Sequence, residues 1–127
     1  MNKRNLLYIC FLFFSATAYG YAGEVEIISA DFQRTGKTTW SIDVTLRHDD
    51  TGWDHYADSW RVLDAEGSVL AERILLHPHI NEQPFTRSLS GVKIPETTRA
   101  VYVEAHDRLH GWSTDRLAFS LDKTDRD

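Results

Sequence analysis

The chain has 127 residues, and 14 Lys and Arg stand against 19 Asp and Glu for a formal net charge of −5. That length accommodates one domain, and the acidic balance excludes the basic face that nucleic acid or an anionic membrane surface requires. A single cysteine excludes an intrachain disulfide.

Residues 1–22 read as a cleavable signal peptide. Lys3 and Arg4 supply the positive start, Leu6 to Ala16 forms an uncharged apolar run, and Gly20-Tyr21-Ala22 has the small-x-small form of a cleavage site. Cleavage after Ala22 fits best, after Ala18 next; an uncleaved anchor is the alternative. The run is too short to cross a hydrocarbon core of about 30 Å as a resting helix. Cys10 lies mid-run rather than at the end of it, so no lipid anchor is expected. Cleavage would discard Cys10, Lys3 and Arg4 and take the formal charge from −5 to −7. The exported domain, residues 23–127, is expected in the periplasm or the medium, with no membrane insertion after cleavage. Without thiols, its stability must come from packing or from a ligand.

From Glu24 onward the hydrophobic period is two. Weak strand signals run over Val25 to Phe32, then Gly36 marks a turn. Trp40, Ile42, Val44 and Leu46 alternate with polar residues as a half-buried strand does. Trp60 to Leu63 and Val69 to Leu76 form a hairpin about Asp64-Ala65-Glu66-Gly67, and Trp60 should point into the core. Phe85 to Ile94 is followed by a turn at Pro95 to Thr98. Val101, Val103 and Ala105 alternate cleanly, as do Leu117, Phe119 and Leu121. About seven short strands, with no amphipathic helix, predict an all-β, antiparallel β-sandwich. The run from Ile94-Pro95 through Val101-x-Val103-x-Ala105 resembles the late strands of fibronectin type III and immunoglobulin-like domains. The resemblance implies a single immunoglobulin-like sandwich, although Arg99 stands where those domains usually carry a tyrosine.

Six histidines fall in three groups near strand ends. His48 and His55 flank HDDTGWDHYADSW, His77 and His79 form His-Pro-His, and His106 and His110 lie in AHDRLHGW. In a sandwich of this order, the loops after the second and sixth strands share one end, and the His-Pro-His segment can reach it. Neutral imidazoles converging from separate loops, oriented by carboxylates, are how metal sites are built on β scaffolds. Without a thiolate, the site suits Cu(II), Zn(II), Ni(II) or non-haem iron, with Cu or Zn the first expectation. The expected ligands are His77, His79, His106 and His110, with His48 and His55 as additional or exchanging ligands, and Asp54 and Asp107 orienting imidazoles. Read structurally instead, the same histidines hydrogen-bond to backbone while Trp53, Tyr56, Trp60 and Trp112 cap the core.

A second function class is open. Trp53, Tyr56 and Trp112 with the neighbouring aspartates form a rim suited to stacking and cation–π contacts with an exported protein or a small molecule. Catalysis is not expected. No glycine elbow surrounds a serine, and His106 and His110 lack the Glu and the helix of a zinc protease. Trp53 occupies a ligand position of any calcium loop starting at Asp49, and Asp49-Asp50 reads as a solvated pair. The His-Pro and His-Gly-Trp fragments resemble the iron-binding loops of superoxide reductases, which implies a histidine-ligated iron. That family also uses a cysteine thiolate, which residues 23–127 do not contain. The segments HDDTGWDHYADSW, HPHINEQPFTRSL and AHDRLHGW also resemble small exported proteobacterial proteins, which implies export and no particular chemistry.

Overall fold

The computed structural model describes residues 23–121; the signal-peptide reading of residues 1–22, with Cys10 and the cleavage point, lies outside them. The described strands are β1 (Glu26–Arg34), β2 (Thr39–Arg47), β3 (Ala57–Asp64), β4 (Val69–Ile74), β5 (Phe85–Lys93), β6 (Ala100–Asp107), β7 (Gly111–Trp112) and β8 (Leu117–Ser120). Neighbouring strands pair antiparallel in two sheets. One has the order β1-β2-β5, the other β4-β3-β6-β7 with β8 also on β6. The hairpin at Asp64 to Gly67 forms as expected, with Asp64 Oδ1 accepting from the Glu66 and Ser68 amides at 2.9 Å each. The two-residue β7 was not expected. It pairs with His106 and Asp107 at one end of β6, while β8 pairs with Ala100 to Val103 at the other.

The core follows from the alternation. Trp40, Ile42, Val44 and Leu46 face inward from β2 and Val101, Val103 and Ala105 from β6, with Trp60 and Val62 of β3 and Phe85 of β5 packed between them. Burying such an aliphatic or aromatic side chain fully is worth about 1.5–3 kcal/mol, which fixes register, because a one-residue slip would turn every inward residue outward. Trp60 is fully buried, as its place in the pattern demands.

The inward series on β2 and β6 continue beyond their apolar members. On β2 the positions after Leu46 are His48 and then Asp50; on β6 the position after Ala105 is Asp107. All three are buried. At this end of the sandwich the two sheets therefore close over polar side chains rather than over hydrocarbon.

Candidate metal centre

His48 and Asp107 reach each other because each extends the inward face of its own strand, one in either sheet. Their side chains are fully buried, with His48 Nε2 3.7 Å from Asp107 Oδ2. His55 arrives from the turn between β2 and β3, where its amide donates to the Gly52 carbonyl at 3.2 Å and its carbonyl accepts from Thr51 at 3.0 Å. Its Nε2 lies 3.6 Å from Asp107 Oδ1. His110 follows a tight turn in which Asp107 Oδ1 accepts from the amides of Leu109 at 2.7 Å and His110 at 2.6 Å. The turn returns His110 Nδ1 to within 3.2 Å of Asp107 Oδ2. Three imidazoles thus surround one buried carboxylate, with ring centroids 4.7 Å apart for His48 and His55 and 4.9 Å for His55 and His110.

Asp50 organises the side of the cluster away from Asp107. Its Oδ1 accepts from His48 Nδ1 at 2.5 Å and from the Ala57 amide at 3.0 Å, and its Oδ2 from the His79 amide at 2.7 Å. A buried carboxylate is tolerated only when its lone pairs are satisfied in this way. Far from being half of a solvated pair, Asp50 is buried, while Asp49 alone is exposed. The sequence signal was the parity of 46, 48 and 50. On the other face of His48, Nε2 lies 2.6 Å from the Gly23 carbonyl oxygen; a carbonyl only accepts, so this nitrogen would have to give up both its hydrogen and that contact to take an ion.

The six histidines are distributed over three places. His48, His55 and His110 share Asp107. His79 belongs to the same end but its ring turns away, stacking on Phe85 at 4.0 Å with 9° between planes and lying 4.7 Å from His77. Neither ring nitrogen of His79 has a hydrogen-bond partner. Burial, and then the positive charge of Arg87, push its imidazole below the ordinary value of 6.5. His77 is exposed, its Nδ1 3.0 Å from the Pro78 carbonyl oxygen. The His-Pro-His loop does reach the cluster, through Gln83: its Oε1 accepts from the His48 amide and its Nε2 donates to the His79 carbonyl, both at 2.9 Å. His106 lies within β6 on the opposite face from Asp107, with Nδ1 2.5 Å from Asp58 Oδ1 and its ring 4.8 Å from Trp112. The carboxylates beside the imidazoles are therefore Asp107, Asp50 and Asp58, whereas Asp54 is exposed.

The aromatic rim is similarly divided. Trp53 is 62% exposed, its ring set edge-on at 5.6 Å from that of Tyr56, which is buried. Trp112 is half-buried on β7, under the Arg61 guanidinium at 3.7 Å.

Among the described residues, His48, His55 and Asp107 each offer one ligand atom, all within 4.8 Å of one another. Two ligands bonded tetrahedrally to a metal at about 2.0–2.2 Å stand about 3.3–3.6 Å apart. Asp107 Oδ2 lies 3.7 Å from His48 Nε2 and 3.2 Å from His110 Nδ1, and Oδ1 lies 3.6 Å from His55 Nε2, so the separations come close to that range on two different oxygens. His55 Nε2 is also buried without a hydrogen-bond partner, an unsatisfied polar atom of the kind a bound ion would account for. An oxygen with two or three imidazoles suits Zn(II) and Cu(II), so the residues fit such an ion.

No protein-family model matches the chain. A relative from Halomicrobium mukohataei, named "Putative lipoprotein", is 42% identical over 89 residues, which cover 70% of this chain and 43% of the relative. The chain thus spans less than half of that protein's length. The crystal structure of hypothetical protein PH1083 from Pyrococcus horikoshii OT3 superposes with a TM-score of 0.56 over 82% of this chain and 95% of that one, at 11% identity. At that identity the likeness is one of fold.

Proposed function

We propose that this is an exported β-sandwich protein that binds a divalent transition metal, copper or zinc, at the end of the sandwich closed by His48, His55 and Asp107, with His110 beside them. The observation that carries this reading is the convergence of those ligand atoms from both sheets, with His55 Nε2 buried and unsatisfied. Metal handling or delivery, without catalysis, is the role that suits such a centre. The name of the Halomicrobium relative, a lipoprotein, supports an envelope or extracellular destination. The chemistry of superoxide reductases is not carried over, because a carboxylate stands among the imidazoles and no cysteine lies in residues 23–127.

The test is elemental analysis after loading with Cu(II) or Zn(II) and desalting. The native protein should retain about one equivalent, and His55→Ala should lose it with its circular dichroism unchanged, since that side chain is 21% exposed and leaves the core intact. Retention of no ion by the native protein, or the same ion by His55→Ala and Asp107→Asn alike, would refute the reading. The exposure of Trp53 over Tyr56 favours a second reading, an interaction module for an exported protein or a small molecule. On that reading Trp53→Ala abolishes partner binding while metal has no effect.

A further inference from the structure

The outer face of the second sheet carries a row of side chains that the metal reading leaves unused. Register sets the row: Ile74 of β4 stands opposite Ser59 of β3, Ser59 opposite His106 of β6, and His106 opposite Trp112 of β7. Residues directly opposite share a face. Trp60 and Ala105, the next residues along β3 and β6, belong to the core, so the row faces away from it. An irregularity in register between Ala57 and Ser59 sets an extra residue, Asp58, beside the row. Such a bulge re-aims a side chain, and here the Asp58 carboxylate meets His106 Nδ1 at 2.5 Å. Over the row lies a cleft of about 230 Å³ whose lining includes Asp58, Ser59, Glu72, Ile74, His106 and Trp112.

The cleft is rich in hydrogen-bond acceptors and short of cations. With Nδ1 holding its hydrogen toward Asp58, His106 keeps a lone pair on Nε2. Glu72 stands opposite Arg61, the nearest cation across the strand pair. Arg61 is drawn instead to Glu104 at 2.8 and 3.0 Å and lies over the Trp112 ring at 3.7 Å. No Lys or Arg lines the cleft. Ser59 is only 4% exposed, and its hydroxyl makes no hydrogen bond to another described residue. A buried hydroxyl of this kind wants a partner. Acceptors gathered in this way suit a ligand that brings hydrogens and positive charge. Ile74, 53% exposed, and the Trp112 ring offer apolar surface beside them.

We infer that this cleft binds a small organic cation, a primary ammonium or guanidinium on a short apolar body. The charged head lies against Asp58, Glu72 and Ser59, and the body against Ile74 and Trp112. Size limits the ligand, since drug-sized molecules occupy pockets of about 300–1,000 Å³. A metal ion does not suit the cleft. Among the described residues, the group of three ligand atoms within 4.8 Å of one another is that of His48, His55 and Asp107. The cleft is independent of that centre, because His106 and Asp107 are successive residues on opposite faces of β6.

The probe is benzylammonium, with benzyl alcohol as its neutral counterpart, titrated with a chelator present so that the metal centre plays no part. Binding is read by calorimetry and by proton–nitrogen NMR. Benzylammonium should saturate, moving the Trp112 indole and Ser59 amide signals. It should bind about tenfold more tightly than the alcohol, the order of one charge-assisted hydrogen bond. Glu72→Gln, at an exposed position that leaves the core intact, should weaken binding about threefold. Asp49→Asn, the same change of charge outside the cleft, should leave it unaltered. Equal affinity for the cation and the alcohol overturns the inference. Equal weakening by the two variants also overturns it, reducing the effect to general attraction by an acidic protein. Absence of saturation by about 10 mM benzylammonium, an affinity too weak for a built site, does the same.

Discussion

Asp49 and Asp50 are chemically identical neighbours in opposite surroundings. Asp49 is exposed, whereas Asp50 is buried and accepts from the His48 ring and from the amides of Ala57 and His79. Removing one partner from a buried, satisfied network leaves the others unpaired and costs several kcal/mol. Asp50→Ala should therefore lower stability by about 3 kcal/mol or more in urea unfolding, while Asp49→Ala should stay within about 0.5 kcal/mol. Equal effects would mean that Asp50 does not organise this end. The same contrast shows how far the residues were legible beforehand. Composition and adjacency made the pair look solvated; counting by twos from Trp40 would have placed His48 and Asp50 on the buried face. Parity likewise separates Asp107 from His106, which no listing of histidines could do. The turn that returns His110 to Asp107 is set by backbone amides and has no comparable mark in the residue pattern.

The strands themselves were readable wherever one face is buried and the other is not. β2 and β6 alternate without interruption because each is central in its sheet and packs against the core on one side. β1 and β4 lie at sheet edges and are mostly exposed or half-buried, so their patterns are weaker. β7, at two residues, is too short to carry a period at all. The outer face of β6 has its own polar assembly. Glu104 Oε1 accepts from Arg61 of β3 at 2.8 and 3.0 Å, and its Oε2 from Arg116, which precedes β8, at 2.8 and 3.2 Å. Burial alone would raise the Glu104 carboxyl, but the two guanidiniums outweigh it and hold it below its ordinary 4.5. With the folded value depressed, the stability gained is complete above about pH 4.5 and is lost as pH falls through the lower folded value. Glu104→Gln should cost about 1–2 kcal/mol at neutral pH and give a shallower acid limb in a melting-temperature profile. An acid limb identical to the native one would show that the clasp between β3, β6 and the β8 approach contributes little.

Across the whole molecule, the candidate centre lies where the two sheets meet, since His48 continues β2 and Asp107 continues β6. An ion that binds only the folded state adds RT ln(1 + [L]/Kd) to its stability, about 2.7 kcal/mol at a hundredfold excess over Kd. Scanning calorimetry should show the melting temperature rising with Zn(II) or Cu(II), returning to the metal-free value with a chelator, and not responding in His55→Ala. A native melting temperature indifferent to both metals would contradict the centre. The joining of β2 to β6 has one more effect. Antibody domains tie strands of opposite sheets with a disulfide, a bond whose strength follows the redox poise of its compartment. Here the corresponding closure is made by imidazole and carboxylate, groups that neither oxidants nor thiols exchange. The contact between the sheets at this end is therefore the same whether its surroundings are oxidising or reducing.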